Sequence, residues 1–131
     1  MAAFIRSTNV PVTVVLPDSS RAQLQPRSVL RYPPGVPSRR VWLVGGARLS
    51  IVPGAPFVVW TETAVLMSAG AVFDVQTVGL ETTYVVVRSG AVRLRAQNED
   101  NDAAYAGVTV KAGQRALAAR MVGAWIVSPG S

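Results

Sequence analysis

The chain has 131 residues, half of them apolar, and 13 Lys plus Arg against 7 Asp plus Glu give a net charge of +6. It contains neither Cys nor His, which excludes disulfides, thiolate chemistry, and the commonest general base and metal ligand. The length suits one domain with a single core, and the many Gly and Pro favour short strands and turns over helices.

From the N-terminus, Met1 to Val10 shows no clear periodicity and lacks the basic segment and apolar core of a signal peptide. Val12 to Leu16 alternates as a strand. Pro17-Asp18-Ser19-Ser20 then predicts a type I turn, because Pro presets φ and Asp bonds the local backbone. Arg21 to Leu24 returns as the second arm of a hairpin. Ser28 to Tyr32 is a short mixed segment, and Pro33 to Pro37, with three prolines, predicts a surface connector.

Three stretches then share one shape: β-formers, a glycine-alanine step, and a second alternating run. They are VWLVGGARLSI (Val41 to Ile51), VLMSAGAVFDV (Val65 to Val75) and TTYVVVRSGAVRLRAQ (Thr82 to Gln97). A looser copy, VTVKAGQRALA, spans Val108 to Ala118. Gly46, Gly70, Gly90 and Gly113 are the expected corner positions, roughly 20 to 24 residues apart. Phe57 to Thr61, apolar on both faces, predicts a strand buried on both sides or packed under a loop, with Trp60 in the core. Ala116 to Arg120 has helical propensity, but the repeat places it in a strand.

The predicted fold class is therefore all-β: repeated strand–corner–strand units forming a short β-solenoid or a two-sheet sandwich. We expect one domain over 1–131, with 1–10 and 121–131 flanking it. The longest uncharged run, Leu49 to Thr61, carries two prolines and falls short of the roughly 20 residues of a membrane span.

Chemistry-bearing constellations are sparse. Lys111, the one Lys, lies in a turn sequence and makes a poor partner for a nucleophilic Ser. Glu62, Asp74 and Glu81 are separated in sequence. Gly45-Gly46 lacks the Lys-Ser/Thr of a phosphate loop. Asn98 to Asp102 is acidic but lacks the glycine and terminal Glu of a calcium loop, so it predicts a solvated loop. No catalytic, cofactor or metal residue is assigned, and no enzyme is expected. Twelve of the thirteen cations are Arg, scattered without a long basic block, which argues against specific nucleic-acid binding. Trp42, Trp60 and Trp125 are candidates for a stacking platform. Arg93 and Arg95, outward on their strand and without aromatic neighbours in sequence, form the one candidate partner face.

The order of segments resembles the FecR domain, a module of bacterial anti-sigma regulators of iron uptake. The resemblance rests on Leu16-Pro17-Asp18-Ser19-Ser20, Ser28-Val29-Leu30-Arg31-Tyr32 and Arg40 to Ala47. Pro56-Phe57-Val58-Val59-Trp60-Thr61, Ser68 to Val75, Ser89-Gly90-Ala91-Val92 and Ala112-Gly113-Gln114 continue it in the same order. Ser19 stands where the family usually has Gly, Gly46 and Ser89 where it has Glu. The resemblance implies a non-enzymatic extracytoplasmic signalling module, periplasmic in location. Its protein partner would be an outer-membrane transducer or a regulator. It also implies that the chain is the β module without anti-sigma or transmembrane helices. The alternative expectation is a self-assembling β module that forms homo-oligomers through sheet edges, which Pro11 and Pro129 only partly block.

Overall fold

A computed structural model describes residues 3–32, 39–79, 81–97, 107–119 and 122–129. Among them there is no helix and there are thirteen strands. In chain order these are β1 (Ala3–Arg6), β2 (Val12–Val15), β3 (Arg21–Leu24), β4 (Val29–Tyr32), β5 (Arg40–Val44), β6 (Gly46–Ile51) and β7 (Phe57–Trp60). They continue as β8 (Ala64–Ser68), β9 (Ala71–Val78), β10 (Thr82–Ala96), β11 (Val108–Lys111), β12 (Gln114–Ala119) and β13 (Gly123–Pro129).

All thirteen belong to one open, curled sheet with two arms. The first arm runs β1-β4-β5-β7-β8 to the C-terminal half of β10 and then β11. The second runs β2-β3-β6-β9 to the N-terminal half of β10, then β12 and β13. Neighbours are antiparallel except β5 and β7, which are parallel. That exception follows from connectivity, since the chain leaves the first arm through β6 and re-enters it in the same direction.

The expected units are present, each with a strand in either arm. Period-two alternation supplies their inner faces: β5 buries Val41 and Leu43 and exposes Arg40, Trp42 and Val44. Leu30, Leu43, Val59, Leu66 and Leu94 from the first arm meet Leu24, Leu49, Phe73 and Val85 from the second in one buried cluster. Each such side chain contributes about 1.5–3 kcal/mol on leaving water.

The corners need backbone that only glycine adopts cheaply. At the first, the left-handed residue is Gly45 (φ 99°) rather than the expected Gly46. A Cβ on Gly45 would lie 2.5 Å from Ser28 Oγ. That hydroxyl accepts the Gly46 N–H at 3.0 Å, which gives the serine before Leu30-x-Tyr32 a structural task. Gly46 has no left-handed φ, and the atom nearest its notional Cβ is Oε1 of the exposed Gln76 side chain at 2.8 Å, which can swing aside.

At Ser89-Gly90 the chain does not break. β10 continues for 15 residues and changes arm through a bulge between Val87 and Ser89, with Gly90 at φ 76°. The bulge lets one strand pair β9 and β12 before the bend, then β8 and β11 after it.

Within the stretches expected to flank the domain, Ala3–Arg6 pairs β4 and Gly123–Pro129 pairs β12. One further expectation changes. Trp60 is half-buried on the outer face of β7, and only Phe57 and Val59 of that strand enter the core. The Val12–Leu24 hairpin is as expected, closed by Ser19 N–H to Leu16 C=O at 2.9 Å, with Asp18 Oδ1 accepting the Ser20 N–H. Ala116 to Ala119 is strand. The Pro33–Pro37 connector and the Asn98–Asp102 loop lie outside the described residues.

Candidate functional site

Arg93 and Arg95 point outward from the C-terminal half of β10, as their alternation predicts. Cross-strand register gives them neighbours that are distant in sequence. Arg95 is opposite Val65, Val65 opposite Trp60, Trp60 opposite Trp42, and Trp42 opposite Arg31. The adjacent row reads Arg93, Met67, Val58, Arg40. Arg93 and Arg95 thus have Met67 and Val65 as their direct cross-strand neighbours on β8, and the nearest aromatic residue in the row of Arg95 is Trp60, two strands away. Two tryptophans lie in the same row, bracketed by Arg31 and Arg95.

At a strand spacing of about 4.8 Å, five strands make a face about 19 Å wide. It is apolar and unevenly exposed: Trp42 is 39% exposed, Met67 42% and Val44 54%, whereas Trp60 is half-buried and Val65 only 4% exposed. A recess of about 190 Å³ lies between Val29, Arg31, Trp42, Val44, Trp60 and Glu62. Arg93 Nη1 donates to Thr109 Oγ1 at 3.3 Å across the β10–β11 pair. Among the described residues, no carboxylate forms an ion pair with Arg31, Arg40 or Arg95.

Other arginines are committed elsewhere. Arg39 donates to Asp18 Oδ2 at 2.9 Å and to the carbonyls of Ala55 and Val52, with its guanidinium 5.7 Å above the Phe57 ring. On the outer face of the second arm, Arg48 sits directly across from Asp74 at 2.8 Å and Arg88 reaches it from β10 at 2.7 Å. Partial burial works against the Asp74 carboxylate, but hydrogen bonds from Arg48 and Arg88 outweigh it and hold the group below the usual carboxylate range.

The remaining candidates do not assemble. Among the described residues, no three carboxylates gather to hold a metal ion, so Glu62, Asp74 and Glu81 form no such cluster. Lys111 is exposed at the end of β11, its N–H held by Gln114 Oε1 in the turn. The buried hydroxyls have structural partners: Ser7 bonds the Gln25 carbonyl, Ser68 the Ala91 carbonyl, and Thr83 joins Thr61 and Thr63. Trp125 is on β13, in a row with Leu117 and Tyr84 on the second arm, so the three tryptophans form no single platform. A wider depression of about 480 Å³, flanked by Arg21, Ser50, Val52, Pro53 and Ser89, has Arg21 as its one charged group. Of the sequence candidates, Arg93 and Arg95 remain, joined by Trp42, Trp60, Met67, Arg31 and Arg40. Trp42 and Trp60 are already candidates for a stacking platform in the sequence, whereas Met67, Arg31 and Arg40 are brought in by strand register alone.

Comparison with known proteins gives three findings. The family model for FecR protein matches residues 5–93. Two crystal structures, each of a candidate anti-sigma factor from Parabacteroides distasonis, at 2.50 Å and 1.65 Å, are similar in fold, with TM-scores of 0.81 and 0.80. Their identities to this chain are 21% and 23%; they cover 98% and 96% of it, and it spans 60% and 59% of theirs. No curated protein matches the chain.

Proposed function

The chain belongs to the FecR family, and from that premise we propose that residues 1–131 work as one extracytoplasmic, non-enzymatic signalling module that acts by binding a protein. The observation that carries this reading is the outward row Arg31-Trp42-Trp60-Val65-Arg95 on the first arm. Aromatic residues and Arg are the side chains enriched in the buried centres of protein interfaces, where a few of them carry most of the affinity. The anti-sigma assignment of the two similar structures supports a regulatory role, and the protein partner would be an outer-membrane transducer or a regulator. Among the described residues no helix is long and apolar enough to cross a membrane.

A β-lactamase fusion in the native host tests location, with ampicillin resistance expected and sensitivity contradicting it. Transcript profiling after in-frame removal of the module tests regulation. A coordinated change in one promoter class is expected, and an unchanged profile contradicts the reading.

A second reading, assembly through sheet edges, is favoured by one feature. β13 pairs only β12 and carries Trp125 and Val127 at 42% and 53% exposure. Light scattering separates the readings: growth of mass with concentration supports assembly, and a constant monomer mass contradicts it.

A further inference from the structure

We infer that the recess lined by Trp42, Trp60, Val29 and Val44 takes a large apolar side chain from an acidic polypeptide segment, whose carboxylates pair with the surrounding arginines. This rests on the reading of the chain as a protein-binding module and names the chemistry of its partner.

Size comes first. At about 190 Å³ the recess is smaller than the roughly 300–1,000 Å³ of small-ligand pockets and leaves room for one anchoring side chain. Its walls, Val29, Trp42, Val44 and Trp60, are apolar, while Arg31 lies on one side and Glu62 on another.

Charge comes second. Arg31, Arg40, Arg93 and Arg95 surround the apolar centre, and Arg31, Arg40 and Arg95 have no carboxylate partner among the described residues. A partner with carboxylates flanking its anchor gains these pairs at the rim, and the field of the +6 chain speeds its approach. Glu62 sets a direction, repelling carboxylates at its own end and leaving them to Arg31 across the recess and to Arg40, which pairs with Val58 at the other end of the face. A second copy fits badly: an isologous contact through this face would set each arginine group against the other.

Geometry also favours a polypeptide over a glycan. Trp42 and Trp60 are register partners on adjacent strands about 4.8 Å apart, so they form one apolar patch beside the recess rather than a line of separate platforms along a glycan chain.

The test is selection of random phage-displayed peptides on the intact chain, followed by anisotropy measurements with the enriched peptide made synthetically. The expected consensus is an aromatic residue or Leu flanked by Asp and Glu. Its affinity should fall about 30-fold with Trp60→Ala, the size of a hot-spot loss, and stay unchanged with Trp125→Ala. Because Trp60 is half-buried, the exposed pair Arg31→Glu with Arg40→Glu is a second variant, and it should weaken the same peptide by about ten-fold or more. The inference is overturned by a selection with no consensus, by a neutral or basic consensus, or by an affinity that neither variant changes. It is equally overturned if heparin fragments or anionic phosphatidylglycerol vesicles bind this face and the peptides do not. Each of those results leaves the location and transcript experiments free to succeed, so failure of this inference is distinct from failure of the signalling reading.

Discussion

A Cβ added to Gly90 would lie 2.5 Å from the carbonyl oxygen of Gly70 and 3.0 Å from the Cα of Ala71. The two corners thus stack backbone against backbone, and Gly90 is needed for space as well as for its φ of 76°. Gly113, at φ 86°, has nothing within 4 Å of its notional Cβ. We predict that Gly90→Ala costs about 2–4 kcal/mol, the left-handed penalty plus overpacking, and Gly113→Ala only about 1–2 kcal/mol. Urea denaturation of both variants checks this, and equal losses would contradict stacked corners.

Ser19 is exposed at φ 74° in the first hairpin, in the left-handed region that Gly adopts freely. Ser19→Gly is predicted to stabilise the chain by about 0.5–1 kcal/mol, because relief of the backbone cost exceeds the added unfolded-state entropy. Ser19→Ala should give no gain. Thermal melts of the two variants distinguish a backbone effect from a side-chain one.

Much of this was readable in the chain because it is local. Alternation in Val41–Leu43 and Val85–Val87 names the inner face, and glycine at 70, 90 and 113 marks the bends. The first corner is off by one since Gly45 and Gly46 are the same residue type in sequence, and only the folded chain shows that Gly45, against Ser28, takes the left-handed φ while Gly46, beside Gln76, does not. β1 and β13 carry weak patterns and owe their strand state to β4 and β12. The face was half legible. Arg93 and Arg95 announce themselves by alternation, but Trp60 reaches Arg95 only through Val65 on β8, a register that no local pattern encodes.

Asp18 is 7% exposed and holds Arg39 Nη1 at 2.9 Å, Ser20 N and Ser20 Oγ. Arg39 in turn ties the β2–β3 turn to the 52–56 connection through Val52 and Ala55. Removing the cation leaves a nearly buried carboxylate uncompensated, so Arg39→Ala is predicted to cost about 3 kcal/mol. Asp18→Asn keeps one acceptor, for the Ser20 N–H, leaves no buried carboxylate and leaves Arg39 its Val52 and Ala55 carbonyls, so it should cost less. Denaturant midpoints order the two, and the reverse order would contradict this.

Asp74 has its folded-state pKa depressed by Arg48 and Arg88 against the opposing effect of burial. A depressed carboxyl contributes stability that is complete above its unfolded pKa and disappears as pH falls through the folded value. The stability gap between the parent chain and Asp74→Asn should therefore be constant from about pH 7 to pH 5 and narrow below about pH 4. Denaturation at stepped pH reads it directly, and a gap that widens on acidification would reverse the sign.

The central claim is that the first arm's outer face, around Trp42 and Trp60, is where a protein docks. Photo-crosslinking in the native host, with p-benzoylphenylalanine placed at position 60 or at position 125, tests it most directly. The account predicts one discrete protein adduct from position 60, lost with Arg31→Glu and Arg40→Glu, and none from position 125. An adduct confined to position 125, or none at position 60, would contradict it.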